Sequence, residues 1–150
     1  MGSVTRETLK MHGEVEFTVS PRDGAYSARK YRQSNLIVNT GKNYAAQIFS
    51  GNAIPLNKIA IGTGNTPALT VDTGLESLAA TDLYPYGPAV IDSGYGVYLN
   101  AIFDGSEWAG SVSEAGLFGG TVLFSRIVLA TPQVLLPSEV MQVTWQVLFI

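Results

Sequence analysis

The sequence predicts a mainly β protein: an antiparallel β-sandwich of jelly-roll or Greek-key character, with one short helix and an N-terminal hairpin arm. Three observations predict it. Glu14–Val19, Tyr95–Phe103 and Met141–Phe149 alternate with period two, the signature of half-buried strands. Turn-forming clusters rich in Gly, Pro, Asn and Asp separate these and other apolar runs, giving about seven or eight strands. Only one stretch, residues 41–50, keeps a helical spacing of apolar residues. No internal repeat or linker splits the chain, so one sandwich domain over 13–150, including a hairpin at 13–34, follows an arm at 1–12.

The elements follow in order. Val15, Phe17 and Val19 share one face of the first strand. Pro21-Arg22-Asp23-Gly24 has turn chemistry, and Ala25–Arg32 returns as a polar, basic strand. Leu36-Ile37-Val38 is a short apolar centre. Thr40 or Asn39 is expected to cap the helix, whose Tyr44, Ala45, Ile48 and Phe49 form one stripe and must pack on a sheet. Gly51 closes it. Asn57–Gly62 reads as a strand, Gly62–Gly74 as a long loop and Leu75–Ala80 as a turn of helix. Leu83–Pro88, broken by two prolines, is a loop or an edge strand. After Tyr95–Phe103, Asp104-Gly105-Ser106 is expected to close a hairpin. Glu114–Phe118 leads into a Gly119-Gly120 turn. Thr121–Leu129 is a nearly continuous apolar strand interrupted by Arg126, and Pro132 and Pro137 bracket a connector. The last strand puts Met141, Val143, Trp145, Val147 and Phe149 on one face and runs to Phe149-Ile150, as strands do that end inside a sheet or against a partner.

Charge narrows the function classes. Only 14% of the 150 residues are charged, against about 25% in an average soluble domain. So sparse a charged surface predicts a subunit with part of its area covered. The charge is also uneven. Residues 1–42 carry seven Lys and Arg against four acids, +3; residues 43–150 carry two against eight, −6. The basic segment is either a solvated hairpin, an arm lying on the acidic body of a neighbouring copy, or a weak nucleic-acid footprint. The net charge of −3 argues against the last. The chain has no Cys, so it forms no disulfide and no Cys-based metal site. Met1–Lys10 is too polar for a signal peptide, and no apolar run approaches the roughly 20 residues of a membrane helix.

Chemistry-bearing constellations are scarce. The single His12 sits in the polar arm. Asp92, Asp104, Glu107 and Glu114 are the nearest thing to a carboxylate cluster, and read better as turn formers than as metal ligands or a glycosidase pair. Gly62-Thr63-Gly64-Asn65-Thr66-Pro67 lacks the Lys-Ser/Thr of a phosphate loop and reads as a tight strand exit. The sequence therefore predicts no catalytic residue, no cofactor and no metal. Tyr84, Tyr86, Tyr95, Tyr98 and Trp108 make an aromatic-rich middle that can be core, interface or sugar-stacking surface. Arg126 is either a rim arginine snorkelling to water or the partner of a carboxylate such as Glu114 or Glu139, locking two strands or two subunits.

The order of several segments resembles a family of tailed-bacteriophage virion proteins, the N-terminal module of tail-collar fibre proteins. The segments are Asn35-Leu36-Ile37-Val38-Asn39-Thr40-Gly41 before the helix, Ile59-Ala60-Ile61-Gly62-Thr63-Gly64, Asp72-Thr73-Gly74-Leu75-Glu76, Glu114-Ala115-Gly116-Leu117-Phe118, Leu123-Phe124-Ser125-Arg126 and Val143-Thr144-Trp145. The resemblance spans about Gly13 to Ile150. It implies a virion building block without an enzymatic site. Such a block is made in the host cytoplasm and resides in the phage particle, where it assembles as a trimer or higher homo-oligomer with other tail or capsid proteins. In fibres a shaft and a receptor-binding tip follow such a module; here the sequence ends with it, which implies a collar, adaptor or fibre-attachment subunit. A capsid decoration protein is the alternative, and a carbohydrate-binding module a third. Nucleic acid and membrane are not expected partners. Arg29, Lys30, Arg32, Tyr84, Tyr86, Trp108, Arg126 and Ile150 are the expected interface residues.

Overall fold

The alternating segments become strands because each has one apolar face, and two such faces can leave water only by meeting each other. The computed structural model describes residues 8–84, 87–91 and 94–150. Its elements, in order, are β1 (Met11–Pro21), β2 (Arg29–Ser34), β3 (Leu36–Ile37), α1 (Asn39–Phe49), β4 (Lys58–Gly62), β5 (Leu78–Leu83), β6 (Ala89–Ile91), β7 (Gly96–Asp104), β8 (Gly110–Gly119), β9 (Val122–Leu135) and β10 (Glu139–Phe149). Two antiparallel five-stranded sheets result, ordered β2-β1-β10-β7-β6 and β3-β9-β8-β4-β5. The Greek-key character lies in the late strands: β10 returns between β1 and β7, and β9 lies beside β3. Val15, Phe17 and Val19 of β1, with Met141, Val143 and Trp145 of β10, are fully buried against Ile59, Ile61, Leu117 and Ile127 of the other sheet.

Several expectations are corrected. β1 begins at Met11, so residues 11 and 12 belong to the sheet rather than to an arm; Met11 pairs with Phe149. Lys10 exchanges backbone bonds of 2.8 and 2.9 Å with Ile150. Residues 1–7 lie outside the described residues. The return strand starts at Arg29, not Ala25. Leu75–Ala80 is not helical: strand β5 begins at Leu78. Strand β6 was not foreseen. The turn after Asp104 is a corner rather than a hairpin, because β7 and β8 lie in different sheets. Asp104 Oδ1 accepts from Ser106 N (2.9 Å) and from Arg22 Nη1 (2.5 Å) there. Pro132 lies inside β9, not in a connector. The β8–β9 register steps from Val112↔Gln133 to Glu114↔Val128, so the stretch around Pro132 leaves the ladder and loses no strand bond to the missing N–H. Gln33 of β2 caps that stretch, accepting from Ala130 N (3.0 Å) and donating to Val128 O (2.9 Å).

The helix closes one end of the sandwich. Its N-cap is Val38, whose apolar side chain makes no cap bond; the expected caps Asn39 and Thr40 lie inside the helix, and Thr40 donates its hydroxyl to Leu123 O at 2.7 Å. That bond draws α1 onto β9, close enough that a Cβ on Gly41 would overlap the Phe124 carbonyl. Tyr44 and Ala45 are buried, but Phe49 is 73% exposed, so the apolar stripe only partly packs on the sheet. Gly51, at φ +78°, follows the helix end as expected.

Candidate functional site

Four of the segments singled out in the sequence converge on one buried ion cluster. Arg126 lies in the middle of β9, where the strand is covered on both faces, and its side chain is 4% exposed. Glu114 of neighbouring β8 is fully buried beside it, with Oε1 3.2 Å from Arg126 Nε and 3.1 Å from Nη2. A carboxylate this deep needs further donors, and the loop between β4 and β5 supplies them. Glu114 Oε2 accepts from Gly64 N and Ser77 N, both at 2.7 Å, and Oε1 accepts from Glu76 N at 2.8 Å. The glycine-rich strand exit thus cradles an anion, as glycine-rich loops do, and the anion is the chain's own Glu114. Gly64 is required because a Cβ there would overlap that carboxylate. Asp72 Oδ2 completes the cluster, 3.0 Å from Arg126 Nη1, and Glu76 Oε2 lies 4.0 Å from Nη2. Hydrogen bonds from Thr66 hold the Glu76 carboxyl below its ordinary range. Arg126 is therefore not a rim arginine snorkelling to water. Its bonds to Glu114 and Asp72 tie β8, β9 and the long loop together.

A second buried carboxylate organises the hairpin. Glu139 is fully buried at the start of β10 and accepts from Arg29 Nη1 (2.9 Å), Tyr26 Oη (2.7 Å) and Leu136 N (2.9 Å). These bonds, Arg29 first, hold its carboxyl at about 2, well below the usual 4.5. Arg29, expected at an interface, also serves as a clamp within the chain. Its side chain stays 47% exposed.

The remaining expected interface residues are scattered. Lys30 and Arg32 are exposed on edge strand β2, with Arg32 3.8 and 4.0 Å from Glu14 and Glu16. Tyr84 is 40% exposed after β5. Trp108 is half-buried against the core. Ile150 is 71% exposed at the end of β10. Tyr86 lies outside the described residues.

The surface that does form a patch was not foreseen. Beneath α1, at the end of the sandwich that the helix covers, is an apolar cavity of about 320 Å³ between Ala45, Ile48 and Phe49 of the helix and Met11, Val147 and Phe149 of the strand ends. Phe49 meets Phe149 edge-on, ring centroids 6.5 Å apart. Met11 also lines an adjoining cleft of about 400 Å³ with Leu9, Ile37, Lys10 and Lys42. Lys42, Ala45 and Phe49 are spaced by three and four, so one side of the helix runs from a cation to an exposed aromatic. The signal in the sequence was Phe49 at the end of the stripe. Its exposure followed from the close approach of the helix start to β9, which lies outside any local pattern.

Among the described residues no three His, Asp or Glu side chains converge as metal ligands. The single histidine, His12, stands 3.5 Å from Glu14 on the outer face of β1. Compared with protein-family models, with curated proteins and with solved structures, the chain matches none.

Proposed function

We propose that the chain is a structural subunit of a tailed-bacteriophage particle: a small tail-associated collar, adaptor or fibre-attachment protein. It acts by protein–protein assembly as a trimer or higher homo-oligomer. The observation that carries this reading is the apolar end of the sandwich, a cavity with an exposed aromatic rim on a chain whose charge content is low. The resemblance of the segment order to the tail-collar module supplies the biological setting. Those same segments are spent on a rigid internal strut, as suits a part that bears load rather than performs chemistry.

Copy number and location test the reading. Quantitative mass spectrometry and immunogold labelling of purified particles carrying the chain should find tens of copies or fewer, at the tail. Hundreds of copies on the head would replace the tail assignment with capsid decoration. Absence from the particle would overturn the virion assignment. Sedimentation equilibrium should give a trimer or larger, and a monomer at the highest soluble concentration would overturn the assembly part.

A further inference from the structure

The apolar end of the sandwich has a definable partner. Phe49, which lines its cavity, is 73% exposed, and Ile150 (71%) and Ile54 (55%) adjoin the lining residues Phe149 and Pro55 in sequence. A small ligand in the cavity would leave these side chains wet, whereas a polypeptide surface would cover them. Lys10 and Lys42, in the adjoining cleft, have no ion-pair partner among the described residues. The groove therefore fits apolar side chains flanked by carboxylates. A second copy meeting it face to face would set these lysines against each other, so a two-fold contact is disfavoured.

The same chain carries the complementary surface elsewhere. In the loop between β4 and β5, Leu69 is 55% and Val71 69% exposed. Beside them Asp72 and Glu76 remain 21% and 42% exposed. With Glu114 they set three carboxylates around the one guanidinium of Arg126, an excess of negative charge. The loop is anchored by Glu114 and by the bond from Asn39 N to Thr70 O (2.8 Å), so it presents these side chains from a fixed frame.

We propose that the Leu69–Glu76 loop of one copy docks in the groove between α1 and the β1/β10 ends of the next, giving a head-to-tail contact. Leu69 and Val71 enter the apolar cavity, and Asp72 and Glu76 face Lys42 and Lys10. This rests on the assembly reading above and names the surfaces that would carry it.

The chain has no cysteine, so cross-linking starts from a clean background. Two single variants, Val71→Cys and Phe49→Cys, are mixed and oxidised. The mixture should give a disulfide-linked dimer that neither variant gives alone. Phe49→Cys cross-linking to itself would overturn the head-to-tail geometry in favour of a face-to-face contact. No mixed cross-link in a protein that still sediments as an oligomer would overturn this contact and leave the assembly reading standing. A protein that sediments as a monomer and gives no cross-link removes both. Lys42→Glu, on the exposed side of the helix, should weaken association at least tenfold at low salt and much less at high salt. Unchanged association at low salt would refute the role given to the lysine.

Discussion

Replacing Glu114 by Gln keeps the shape of the side chain and changes two things that the cluster depends on. The carboxylate takes four hydrogen bonds, two on each oxygen: Gly64 N and Ser77 N on Oε2, Glu76 N and Arg126 Nε on Oε1. An amide offers one acceptor oxygen, so in either orientation two of these donors face an NH₂ group. Each buried donor left without an acceptor costs roughly 1–3 kcal/mol. The substitution also removes the one fully buried carboxylate that faces Arg126, and breaking a buried pair costs about 3–5 kcal/mol when no partner remains. Asp72 stays 3.0 Å from Nη1, so only part of that second cost applies. The expected loss is about 3–5 kcal/mol, a large fraction of the roughly 5–15 kcal/mol that stabilises an ordinary domain. Urea unfolding followed by the fluorescence of buried Trp145 measures it. Arg126→Met and the double variant Glu114→Gln/Arg126→Met complete a cycle, which should show coupling above about 1.5 kcal/mol because the two residues touch. A Glu114→Gln protein within about 1 kcal/mol of the parent, or an additive cycle, would refute the view that this carboxylate holds the loop.

Three further expectations follow from the same kind of reasoning. Glu139 has a folded carboxyl near 2 against an ordinary 4.5, so it adds stability that is full above about 4.5 and lost as pH falls toward 2. At about 1.4 kcal/mol per pH unit the gap corresponds to roughly 3 kcal/mol, reduced to about 1–2 because the Arg29 side chain is half exposed. The stability difference between the parent and Glu139→Gln should shrink over that window, and a difference constant from pH 6 to pH 2 would contradict it. In the Asn35 amide orientation that satisfies all its neighbours, the oxygen accepts from the buried Trp145 indole N–H and the nitrogen donates to Gly13 O. Asn35→Ala should cost about 1–3 kcal/mol by denaturant unfolding and shift Trp145 emission, and a variant with unchanged stability and emission would refute this bond. Gly41→Ala pushes a methyl into the Phe124 carbonyl and should lower stability by at least about 1–3 kcal/mol, despite the better helix propensity of Ala; a stabilised variant would show that α1 does not approach β9 so closely.

What was legible in the sequence was what local periodicity controls. The inward faces of β1, β7 and β10 follow from alternation alone, since a period of two puts Val15, Phe17, Val19, Met141, Val143 and Trp145 on one side whatever the partner strand is. What failed depends on residues far away in sequence. Leu75, Leu78 and Ala79 have helical spacing, yet the Glu114 carboxylate, 37 and 38 residues further on, takes the Ser77 and Glu76 amides and turns the chain into a strand. Asp104-Gly105-Ser106 has hairpin chemistry, but nothing local says whether the following strand joins the same sheet. Arg126 gave a partial reading: of its two proposed partners, Glu114 is the real one, because Glu139 is already held by Arg29 and Tyr26.

The uneven charge that marked residues 1–42 as an arm takes a different form in the folded chain. Arg22 and Arg29 from that segment are spent inside the molecule, on Asp104 and Glu139. Arg126, from the acidic part, is spent on Glu114 and Asp72. Among the described residues, the basic side chains left without an ion pair are Lys10, Lys30 and Lys42, all of the first 42, and Lys58, which lies over the Phe118 ring. The excess of carboxylate collects where the β4–β5 loop meets Arg126. The fold thus spends its arginines on pairs within the molecule and leaves unpaired lysines on one set of elements and an excess of carboxylate on another, the β4–β5 loop. A chain built so has little reason to pair like face with like face; its unspent charges favour a contact in which one face meets the other.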